Sequence, residues 1–117
     1  AYSDRPFHAH NRLIKSSGLS PDERRALVRD IAARLERAKG PVHVLMPTQG
    51  VEEWDKEGAP AYDPEGLAAM VDEMGKAIKA PAELTMIDCH INDEAFADAA
   101  LAILDAWIAD GTVKLDA

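Results

Sequence analysis

His90 is the residue whose type and setting in this chain best suit proton transfer. It follows Cys89 and stands just before Asn92 and Asp93. An imidazole changes charge near neutral pH, so His90 could serve as a general acid or base, or as a donor to a phosphate. It could equally be a loop histidine whose neighbours only start a helix, since Asn and Asp are favoured N-caps. Cys89 beside it suggests an activated nucleophile, but adjacent residues at a strand end point apart, which makes direct activation awkward. Thr48, Gln49 and Gly50 offer hydrogen-bonding groups next to a residue that lets backbone approach closely. Ser16, Ser17 and Gly18 have the types that cradle phosphate, although neither G-x-x-x-x-G-K-[ST] nor G-x-G-x-x-G occurs. His8 and His10, two apart, share one face of an extended segment and could join His90 and Asp93 around a metal. Nothing else supports that, and no metal site of the chain's own is expected. The carboxylates of Glu52, Glu53, Asp55, Glu57 and Asp63 read as a solvated loop face, Trp54 as the anchor of that loop, and His43 as a hydrogen-bonded strand residue.

The elements that must position these groups can be read from spacing and punctuation. Residues 1–11 form a polar and aromatic lead-in, and residues 12–117 form one α/β unit. A short strand is expected over residues 12–15, followed by the Ser16-Ser17-Gly18 loop. Ser20, Pro21 and Glu23 make a helix start with a capping box, and Leu27, Val28, Ile31 and Leu35 recur on one face. Gly40 supplies a left-handed stop. Val42 to Met46 is nearly all apolar, as befits a parallel strand covered on both faces, and Pro47 ends it. The long loop over residues 47–62 is of a kind more often functional than idle. Asp63 and Pro64 open a second helix with Leu67, Met70, Val71, Met74 and Ile78 as its buried stripe, and Ala80-Pro81 stops it. Residues 83–88 form a third strand. Asn92 or Asp93 caps a third helix with Phe96, Ala100, Ile103, Leu104, Trp107 and Ile108 along its apolar face, ended by Gly111. Residues 112–115 suit an edge strand or a tail.

Strands alternating with helices imply parallel crossovers, with helices on both faces of a small sheet: a three-layer β-α-β-α-β-α unit. In such sheets ligands bind beyond the carboxyl ends of the strands. Three loops would converge there, carrying Ser16 and Ser17; Thr48, Gln49 and Gly50; and His90, Asn92 and Asp93. Helix N-termini behind the loops favour an anion such as phosphate or carboxylate. Three strands make a small sheet, so an open edge should pair with a second copy or with sequence not present here.

Composition narrows the function classes. The 117 residues fit one domain. The net charge of −8 repels phosphate backbones, which argues against broad nucleic-acid binding. The basic residues between Arg24 and Lys39 alternate with apolar ones and read as a solvated helix face. The single cysteine suits a reducing cytoplasm, and no apolar run is long enough to span a membrane. Ala1 opens the chain without methionine, so a processed chain or a piece of something longer is expected.

Several stretches together resemble one family. They are Phe7-His8-Ala9-His10-Asn11 with Leu13 and Ile14; Leu45-Met46-Pro47-Thr48-Gln49-Gly50-Val51; Gly58-Ala59-Pro60-Ala61-Tyr62-Asp63-Pro64-Glu65; and His90-Ile91-Asn92-Asp93-Glu94-Ala95-Phe96-Ala97. In this order they resemble bacterial and fungal proteins similar to the ATP-binding N-terminal module of the tomato mosaic virus resistance protein. The resemblance implies a Rossmann-like fold and a fragment, the carboxyl-terminal subdomain of a two-lobed protein whose N-terminal lobe is missing. It implies ATP or a related nucleotide, with Mg, as a possible ligand, and dimerisation. No catalysed reaction is implied. The ligand would touch Ser16, Ser17, Thr48, Gln49, Gly50, His90, Asn92 and Asp93. Lys15-Ser16-Ser17 stands where the family has Arg-Thr-Thr, and Glu52 where it has serine. Glu52 would repel phosphate if it pointed inward. Two rival functions remain: an enzyme acting on a small phosphorylated or carboxylated metabolite with His90 as acid or base, and a non-catalytic dimerisation module.

Overall fold

The structure, a computed structural model, describes residues 7–9, 15–17, 19–52, 55 and 57–114. The element order is β1 (Phe7–Ala9), β2 (Lys15–Ser17), α1 (Pro21–Leu35), β3 (His43–Pro47), α2 (Pro64–Ala77), β4 (Glu83–Ile87) and α3 (Glu94–Ala109). The expected α/β architecture is present as three helices and a small open sheet in which β3 and β4 run parallel. Their register is continuous from His43 opposite Glu83 to Pro47 opposite Ile87, and α2 makes the crossover between them.

The first strand corrects the expected topology. Its described part is Lys15–Ser17, which pairs antiparallel with β1 in a separate two-stranded sheet. His8 stands opposite Ser16 and Phe7 opposite Ser17. A polar Lys-Ser-Ser strand carries no apolar alternation to seat it on the core, so a nearby segment of the lead-in becomes its partner. Residues 12–14, His10, Gly18 and Trp54 lie outside the described residues.

α1 starts as the capping motif dictates. The Ser20 hydroxyl accepts from the Glu23 N–H at 3.2 Å, and the Glu23 carboxylate accepts from the Ser20 N–H at 2.9 Å. Ser20→Ala removes one half of this exchange and should cost about 1 kcal/mol, read as a lower urea midpoint at unchanged slope. Gly40 does not end this helix. Among the described residues the glycines with positive φ are Gly50, Gly58 and Gly111. Instead the N–H groups of Glu36, Arg37 and Ala38 fold back onto the carbonyls of Ala32, Arg34 and Leu35, which satisfies the helix end five residues early.

Alternation along the strands sets the core. Val44, Met46 and Leu84 turn toward the helices, where Val28 of α1 and Met74 of α2 close over Met46. Leu67, Met70, Val71 and Ile78 pack around them, as the second helix's spacing predicts. Leu27 falls outside the core at 40% exposure. The basic stripe of α1 is only partly solvated. Arg29 bridges to Glu73 of α2 at 2.8 Å, and Arg24 lies over the start of α2, 3.9 Å from Asp63. Gly66 permits that approach, because a Cβ there would meet the Arg24 guanidinium at 2.8 Å. The opposite sheet face is polar at its amino end: His43 contacts Thr85 Oγ1 at 2.7 Å and Glu83 at 3.2 Å. α3 is the exception to this packing, since none of its residues is buried. Among the described residues no helix is long and apolar enough to cross a membrane.

Candidate functional site

The two loops that leave β3 and β4 continue the parallel pairing past the strand ends. The Thr48 N–H donates to the Ile87 carbonyl at 2.9 Å, Gln49 N–H to the Cys89 carbonyl at 3.0 Å, and Ile91 N–H to the Gly50 carbonyl at 3.0 Å. Side chains reinforce the join. The Thr48 hydroxyl donates to the Ile87 carbonyl at 3.3 Å, and the Gln49 amide donates to the Asp88 carboxylate at 2.9 Å. Thr48-Gln49-Gly50 and Cys89-His90-Ile91 therefore meet on one rim, where parallel winding is expected to bring them.

At the centre of this rim lies a buried pair that the sequence did not announce. Asp55 and His90 are 5% and 6% exposed, and Asp55 Oδ1 is 3.0 Å from His90 Nε2. The other carboxylate oxygen accepts from the Val51 N–H at 2.6 Å. The Asn92 N–H donates to His90 Nδ1 at 3.1 Å. A backbone N–H can only donate, so Nδ1 is the acceptor and the ring proton resides on Nε2, facing Asp55. Both ring nitrogens thus have partners inside the fold. Asp55 is not part of a solvated acidic face, in contrast to the sequence reading. Glu52 and Glu57 are exposed, and Asp63 caps α2 by accepting from the Gly66 N–H at 3.0 Å.

Gly50 makes the pair possible. Its φ is +141°, and a Cβ there would collide with Asp55 Oδ1 and lie 2.8 Å from His90 Nε2. Asp93 occupies the N-cap position of α3, but its carboxylate accepts from the His90 N–H at 2.8 Å rather than capping the helix. Asn92, exposed at the same turn, contributes its backbone to the ring. Cys89 is buried. Burial, with the Asp93 and Asp88 carboxylates nearby, pushes its thiol up from its ordinary range.

In front of the rim is an open cleft of about 950 Å³. Thr48, Gln49, His90 and Asp93 form its floor, and Tyr62 with Leu67 and Val71 of the α2 side forms a mostly apolar wall. Glu57 and Asp72 also line it, and no Lys or Arg does among the described residues. Of the residues expected at the ligand face, Thr48, Gln49, His90 and Asp93 line this cleft, and Gly50 and Asn92 support it from behind. Ser16 and Ser17 stand within β2, in the separate antiparallel sheet. The acidic lining opposes a bare anion, which offsets the helix N-termini behind the loops.

The fold and rim define an open α/β unit whose loops meet at the carboxyl edge of a parallel β-α-β crossover. Residues 1–108 match the C-terminal domain of the uncharacterised protein family UPF0261. The chain belongs to that family. It is 50% identical over 112 residues to a UPF0261 protein of Brucella melitensis, covering 96% of this chain and 27% of that protein. A UPF0261 protein of Mesorhizobium japonicum is 39% identical over 106 residues, with 89% and 27% covered. The tomato mosaic virus resistance protein Tm-1 of Solanum lycopersicum is 28% identical over 109 residues, with 92% and 14% covered. The chain therefore spans about a quarter of the length of its bacterial relatives.

Proposed function

We propose that this chain is the carboxyl-terminal subdomain of a two-lobed nucleotide-binding protein and supplies one wall of the nucleotide site. The observation that carries the reading is the cleft at the carboxyl ends of β3 and β4, floored by Thr48, Gln49, His90 and Asp93. Its chemistry suits the nucleoside end of the ligand. Carboxylates at Asp72 and Asp93 can accept from ribose hydroxyls, Tyr62 is 46% exposed beside them, and Leu67 and Val71 offer an apolar surface to a base. Among the described residues, the phosphates find no cationic side chain on this wall. Among the described residues no three His, Cys, Asp or Glu side chains converge on a metal site. Magnesium would therefore arrive with the phosphates, as it usually does, and the missing lobe would meet their charge. His90, held at both nitrogens, shapes the floor in this reading and does not exchange protons with the ligand.

Amide chemical shifts during titration with adenosine and with ATP–Mg test this. Gln49, Gly50 and Ile91 should move with both ligands, and the two affinities for this chain should agree within about threefold, both near millimolar. Silence of those amides with both ligands would sink nucleotide binding at this cleft. ATP binding tenfold or more tighter than adenosine would place a phosphate site on this chain and overturn the division of labour.

A further inference from the structure

α3 is more apolar than a surface helix should be, yet it has no buried residue. Its apolar residues form two adjacent stripes at helical spacing. Phe96, Ala100, Ile103 and Trp107 are half-buried. The second stripe runs through Ala97, Leu101 and Leu104 and faces outward, with Leu101 56% and Leu104 41% exposed, and ends at half-buried Ile108. A solvated helix carries polar residues at such positions, and a contiguous exposed apolar strip marks an interaction surface.

We propose that the Leu101–Leu104 stripe of α3 is the docking surface for the portion of the family chain that this unit lacks. The proposal rests on the two-lobed reading above. Two observations select that occupant. The bacterial relatives carry nearly three quarters of their length outside the matched region, so such a partner is always present at equal concentration. The helix also bears Glu94, Asp98 and Asp105 and no basic residue. A second copy would set these acids against their own kind, in a chain of net charge −8. The partner surface is apolar at its centre, with Lys or Arg at the rim.

The test grafts this chain in place of the matched region of the Brucella melitensis relative and compares graft with chain alone, without nucleotide. Leu104→Cys reports the stripe, and Ala106→Cys, exposed on the other side of the helix, is the control. Buried Cys89, its thiol pushed up, adds little background. Alkylation at position 104 should slow at least about tenfold in the graft while position 106 changes less than about threefold. Hydrogen exchange of the α3 amides in the unsubstituted proteins gives the same comparison if a cysteine variant folds poorly. Equal reactivity at position 104 in graft and isolated chain overturns the proposal. So does protection in the isolated chain that grows with concentration, which would identify a second copy as the occupant. Because no nucleotide is present, failure here leaves the adenosine titration unaffected, and the reverse also holds.

Discussion

Gly50→Ala lowers the stability of this chain by about 3 kcal/mol or more, a large part of what a domain this size possesses. Two effects add. The residue has φ +141°, a conformation L-residues rarely adopt. A Cβ would also displace Asp55 or the His90 ring from their contact, because it collides with Asp55 Oδ1 and lies 2.8 Å from His90 Nε2. Gly58 separates the two effects. Its φ is +84°, but a Cβ there meets nothing within 4 Å. Gly58→Ala should therefore cost only the backbone term, about 1 kcal/mol. The difference between the variants in urea denaturation measures the contact with the Asp55–His90 pair. Equal losses at the two positions would mean that the rim yields to an added methyl, and that the pair does not depend on this glycine.

How much of this was legible from sequence depends on the range of the interactions. The starts of α1 and α2 were readable because Ser20 with Glu23 and Asp63 with Pro64 act within one turn. The parallel crossover was readable because the Val42–Met46 run has too few polar residues for a half-solvated strand. The separate β1–β2 sheet was not, since Lys15, Ser16 and Ser17 carry no apolar pattern to fix a partner. The rim was half legible. Parallel winding alone brings the loops after β3 and β4 together, so Thr48, Gln49 and His90 could be placed. Asp55 could not, because it stands among three other carboxylates in one loop and meets His90 across 35 positions. The available signal was Gly50, whose freedom from a Cβ matters only if something buried approaches it. The apolar face of α3 was legible as a pattern, but a pattern does not say whether its cover lies within the same chain.

Asp55→Ala removes the acceptor that meets both His90 Nε2 and the Val51 N–H, and should cost about 3–5 kcal/mol. The reason is asymmetry: a buried donor left without an acceptor loses its desolvation energy in full, about 1–3 kcal/mol each. Asp55→Asn is the sharper probe. One carboxylate oxygen accepts from the ring N–H and the other from the backbone N–H, so an amide can serve only one and must turn its own N–H group toward the other donor. The isosteric change should still cost about 1–3 kcal/mol. A double-mutant cycle of Asp55→Ala with His90→Ala should return a coupling of about 1–3 kcal/mol, since each substitution strands the group the other removes. The ¹⁵N shifts of the His90 ring give an independent reading: a protonated Nε2 and an unprotonated Nδ1 in the parent chain, with that tautomer lost in Asp55→Ala. A ring protonated on Nδ1 would contradict the Asn92 hydrogen bond, and a coupling near zero would show that the two side chains are neighbours without being partners. With both results as expected, His90 is a fixed part of the cleft floor, and in the proposed reading the contacts to a ligand fall to Thr48, Gln49, Asp93 and the lobe proposed to face them.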